Sequence, residues 1–77
     1  MKKEKDFHFA VCINNKGYEA SLELGKLYQV IPDKEADANN LIRVVDESGE
    51  DYAFAANRFR MVDVPSIVQK ALLSARA

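Results

Sequence analysis

The chain has 77 residues and a formal net charge of −1, which sets a single domain near the lower size limit for an unaided core. A lone cysteine excludes an internal disulfide framework, and with one histidine there are too few soft ligands for a structural zinc site. The missing basic excess argues against affinity carried by phosphate neutralisation, and no apolar run is long enough to span a membrane.

With no disulfide or metal to staple it, the chain must be held by apolar burial or by a partner subunit. Residues 1–6, with Lys2, Lys3 and Lys5, read as a flexible polar tail. The start has neither the length nor the cleavage site of a signal peptide, and Cys12 is free, so the expected location is the cytoplasm.

Phe7, Phe9, Val11 and Ile13 alternate with His8, Ala10 and Cys12. That period of two predicts a strand over 7–14 with its odd face inward. His8 and Cys12 share a parity, but four residues along a strand is roughly 13 Å, too far for a shared metal or a nucleophile–base pair. His8 is read as a surface residue and Cys12 as a small hydrophobe.

A loop rich in Asn and Gly leads to Leu22 and Leu24, two apart and so able to face one way in an extended segment. Gly25-Lys26 then turns the chain into a strand over 27–31, closed by Pro32-Asp33. Residues 34–40 are a polar connection with some helix propensity, too short for a helix that stands alone. Leu41, Ile42, Val44 and Val45 are apolar on both parities around Arg43, which predicts a strand covered on both faces. An acidic tip of Asp46, Glu47, Glu50 and Asp51 joins it to a second arm, which breaks at Ala55-Ala56-Asn57 and resumes in a new direction. The tip is read as a solvated turn that keeps a strand edge from pairing with other chains. It matches no calcium-loop spacing.

The last segment, 65–77, places Ile67, Val68, Ala71, Leu72 and Ala75 on one stripe of an amphipathic helix of roughly 10–12 residues, with Leu73 pointing elsewhere. Asp63 or Ser66 is the candidate cap. The stripe must be buried, on its own sheet or on a neighbour's.

The order of pieces resembles an SH3-like barrel. Ala10-Val11-Cys12-Ile13-Asn14 stands where that family opens with Ala-Leu-Tyr-Asp-Tyr. Leu22, Gly25, Tyr28 and Val30 fall on its structural positions after the irregular loop. Gly49, Phe54, Asn57 and Phe59 fall on those of the distal turn, the core and the 3₁₀ corner. The chain is also similar to small bacterial proteins of this type, a group that brings no activity with it. The resemblance implies a mainly β fold: a five-stranded SH3-like barrel over 7–64, with strands 7–14, 22–24 with 27–31, 41–46, 51–54 and 59–62, and a C-terminal α-helix over 65–77 in the same domain.

Eukaryotic SH3 domains bind proline-rich helices on aromatic rings. At those groove positions this chain has Cys12, Asn14, Ile42, Ala55 and Arg58, so no proline-rich peptide is expected as a partner. No nucleophile–base pair, metal set or cofactor signature is visible, and the chain is read as neither an enzyme nor a cofactor carrier. The leading expectation is a protein-interaction module, self-associating as a homodimer or binding an unidentified protein. Its candidate surface comprises Ile42, Arg43, Arg58, Arg60, Ile67, Leu72 and Leu73. The alternative is a nucleic-acid-binding barrel using Arg43, Arg58 and Arg60, with Tyr52 and Phe54 nearby as rings.

Overall fold

A computed structural model describes residues 8–75. Five strands, β1 (His8–Cys12), β2 (Leu27–Ile31), β3 (Leu41–Val45), β4 (Asp51–Ala55) and β5 (Phe59–Val62), form one antiparallel sheet in the order β4-β3-β2-β1-β5. Two helices complete it, α1 (Lys34–Ala38) and α2 (Ser66–Ala75), and a 3₁₀ turn at Ala56–Arg58 redirects the chain between β4 and β5. These two strands are the sheet's edges, joined by only the three residues of the 3₁₀ turn, but they do not pair with each other, so the sheet does not close into a barrel.

One face of the sheet holds the core: Ala10, Cys12, Tyr28, Val44, Phe54 and Phe59, with Leu22 from the long β1–β2 loop and with Val30 and Ile42 packed at its margin. Its aromatic rings meet at an angle, Tyr28 on Phe59 at 6.3 Å and Phe54 on Phe59 at 6.1 Å. The inward parity of β1 is therefore the even one, the reverse of what the alternation predicts. Large rings arrive from β2, β4 and β5, and small residues, Ala10 and Cys12, are what fit beneath them at packed density. Phe9 is buried as well, but it does not belong to that cluster, and Ile13 is exposed. Position 7 lies outside the described residues.

β1 also ends early, at Cys12. Ile13 and Asn14 both donate their backbone N–H to the Arg58 carbonyl, at 2.8 and 3.3 Å, which breaks the ladder. The expected strand at 22–24 does not form. Ser21 and Leu22 donate instead to the Tyr18 carbonyl, curling this stretch into a turn that drops Leu22 into the core and leaves Leu24 exposed. Gly25, at φ +84, closes the loop by donating to the Cys12 carbonyl at 2.8 Å. Positive φ at that point is what glycine permits.

The connection 34–40 is a true, if short, helix because both of its ends are capped. Asp33 Oδ1 accepts from the amides of Glu35 and Ala36 at 3.0 and 3.1 Å. Asn40, at φ +60, ends it in the left-handed conformation that asparagine tolerates. Ala36 is buried against β3, so part of that strand's second cover comes from α1.

α2 is amphipathic, but it is rotated relative to the expected stripe. Its half-buried positions are Gln69, Leu72 and Leu73, while Ile67, Val68 and Ala71 are exposed. The first turn is tied by other means than Asp63 or Ser66. Val68 and Gln69 donate their amides to the Pro65 carbonyl, and the Gln69 side chain donates to the Val64 carbonyl at 2.8 Å. The helix meets the rest of the molecule through its C-terminal half. Leu72, Leu73 and Ala75 face a cleft of about 820 Å³ walled by Phe9, Leu27 and Val45.

Candidate interaction surface

The sequence-predicted surface does not come together as one patch. Ile42 packs against the core, which removes it from any outer surface: its parity in β3 is that of buried Val44. Arg43, on the opposite parity, donates through Nε to Asp33 Oδ2 at 2.8 Å and lies 3.7 Å from Asp51. Asp33 therefore binds Arg43 with one oxygen and caps α1 with the other. The Arg43 hydrogen bond, helped by the Ala36 amide, holds the Asp33 carboxyl below the usual carboxylate range, and the same bond pushes Arg43 up.

Arg58 is engaged too. Its guanidinium lies over the Tyr18 ring at 4.7 Å and Nη1 donates to the carbonyls of Asn14 and Lys16 at 3.1 and 3.0 Å. The 3₁₀ turn thus pins the loop after β1 through one side chain. Of the three candidate arginines, Arg60 alone is exposed.

The hairpin tip is less of a solvated turn than its charge suggests. Asp46 is only 2 % exposed and accepts from the Ser48 amide and hydroxyl, which shapes the turn that Gly49 completes at φ +87. Glu47 reaches across to the β1–β2 loop, where it accepts from Lys26 Nζ at 2.7 Å and from the Tyr28 hydroxyl. Tyr28 Oη also accepts from the Glu23 amide at 2.7 Å. Burial, then the Glu47 carboxylate, pushes the Tyr28 hydroxyl well above its ordinary range. Glu47, Glu50 and Asp51 are the exposed acids of the tip, and Asp46 is its buried one.

This Tyr28–Glu47–Lys26 link was not visible in the sequence, because Glu47 carries no local signal that tells it from its acidic neighbours. Asp33 was legible in principle, as a cap residue directly before a short helical run.

Four large apolar side chains between residues 61 and 68 stand in solvent: Met61 at 58 %, Val62 at 38 %, Ile67 at 76 % and Val68 at 40 %. They lie on the edge strand β5 and the first turn of α2. Leu72 and Leu73, by contrast, are half-buried at the cleft. Among the described residues no group of three or more His, Cys, Asp or Glu is placed to hold a metal ion, and no helix is long and apolar enough to cross a membrane. Comparison with protein-family models, curated proteins and solved structures gives no match for this chain.

Proposed function

We propose that the chain is a non-catalytic protein-interaction module on an SH3-like barrel, and that it associates with a second copy of itself through β5 and the exposed stripe of α2. The observation that carries this reading is the exposure of Met61, Val62, Ile67 and Val68 within one short stretch. An unpaired strand edge and an unburied apolar helix face both favour association. The barrel reading draws support from the 3₁₀ turn between β4 and β5, from the irregular loop over 13–26, and from the tight β3–β4 turn at Gly49.

Proline-rich peptides are not the partners of this reading, since Cys12 is buried, Ile42 packs on the core and Arg58 is held on Tyr18. A nucleic-acid surface of Arg43, Arg58 and Arg60 would require breaking the Asp33–Arg43 pair and lifting Arg58 off its ring. The test is the solution mass of the intact chain across a wide concentration range at low and high salt. Apolar association gives a dimer that persists or strengthens in high salt. A chain that stays monomeric up to millimolar concentration refutes the proposal.

A further inference from the structure

A second feature lies apart from β5 and α2. Tyr18, Tyr52 and Phe54, with Ser21, Asp46 and Ser48, wall a notch of about 310 Å³ between the β1–β2 loop and the β3–β4 hairpin. Phe54 is buried, and Tyr18 meets it edge to face at 5.2 Å, which fixes the orientation of that wall. Tyr18 and Tyr52 are both exposed, so the Tyr52 ring and the part of Tyr18 that Arg58 leaves uncovered are available to an incoming group.

The charge around the notch has one sign on the hairpin side. Asp46 lines it, and Glu50 accepts from the Tyr52 hydroxyl at 3.0 Å. Among the described residues, the cation seen against these walls is Arg58. It occupies one face of Tyr18 while tied to the Asn14 and Lys16 carbonyls, so it is held against that ring. The chain itself thus demonstrates that the Tyr18 ring accepts a cation. Aromatic faces beside carboxylates favour a positive charge on a slender apolar stem, since the rings pack the stem and both attract the charge. A neutral apolar group gains only half of that.

We infer that the Tyr18–Tyr52–Phe54 notch receives a basic side chain, lysine or arginine, presented by an extended segment of a partner protein. The site shares no residue with the self-association surface, so the two stand or fall separately.

The experiment is a titration of the full chain with a short lysine-rich peptide, its arginine counterpart, and the lysine peptide with every amine acetylated, followed by NMR. Saturable shifts of the Tyr18, Tyr52 and Phe54 ring signals are expected with the basic peptides and not with the acetylated one. Glu50→Gln and Tyr52→Ala each weaken binding, the latter about ten-fold, and Ile67→Lys leaves it unchanged. Equal binding of the acetylated peptide overturns the inference. So do shifts spread along the acidic hairpin without the tyrosines, or a Glu50→Gln variant that binds as the native chain does.

Discussion

Replacing Tyr28 by Phe probes the link that joins the β1–β2 loop to the β3–β4 hairpin. The ring stays in the core, so no cavity opens, and only the hydroxyl is lost. That hydroxyl accepts from the Glu23 amide at 2.7 Å and donates to Glu47. A neutral hydrogen bond contributes about 1 kcal/mol net and one to a charged group about 1.5–3. Glu23 and Glu47 are both exposed enough to recover water, and Glu47 keeps Lys26, so the loss sits low in that range, about 2 kcal/mol. A chain of this size has a total stability of roughly 4–11 kcal/mol. With a urea slope of about 1 kcal/mol/M the unfolding midpoint falls by about 2 M. An unchanged slope would place the effect in the native state.

The pH dependence checks the same contact independently. The Tyr28 hydroxyl is raised from an ordinary value of 10.0, so the folded state holds its proton after the unfolded chain has released it. Its contribution is complete below pH 10 and is lost as pH climbs beyond it. The Phe variant lacks that part of the alkaline decline. A midpoint shift below about 0.3 M, smaller than extrapolation error allows one to interpret, together with an unaltered alkaline limb, would refute the reasoning.

Two further outcomes follow from the engaged charges. Asp33→Asn keeps a good cap on α1 but loses the Arg43 pair, so it lowers the melting temperature at neutral pH. Because the native carboxyl is held below its usual range, its advantage over the variant is present above that range and disappears as pH falls through the folded value, which thermal melts in acid will show. Arg58→Ala removes the clamp on the Asn14 and Lys16 carbonyls and the cover of Tyr18. Amide hydrogen exchange over residues 14–18 should accelerate several-fold while the protection of β2 and β3 changes little.

Strand positions were legible wherever a run of β-formers ended in a breaker: 27–31 before Pro32, 41–45 before the acidic tip, and 59–62 after the corner at Asn57. The face each strand buries was harder to read. In β1 both parities carry apolar residues, and the choice was made by rings on distant strands that need Ala10 and Cys12 beneath them, which is a tertiary fact. Leu22 looks like strand and behaves as a plug, because the backbone bonds to Tyr18 curl the loop locally. In α2 the periodicity was right and the buried side was not. The helix leans on the cleft through Leu72 and Leu73 near its end, and the larger share of its predicted stripe is left facing out. The candidate surface suffered in the same way: Arg43 and Arg58 look available in the sequence, and their partners lie 10 and 44 residues away.

The most direct measurement is a comparison of the native chain with an Ile67→Lys, Val68→Lys variant, by sedimentation velocity for mass and by circular dichroism for fold. Both positions face solvent in the single chain, so the variant should keep its sheet and helix and sediment as a monomer where the native chain sediments as a dimer. A variant that unfolds would show that the stripe belongs to the chain's own core. One that dimerises as before would place the contact elsewhere.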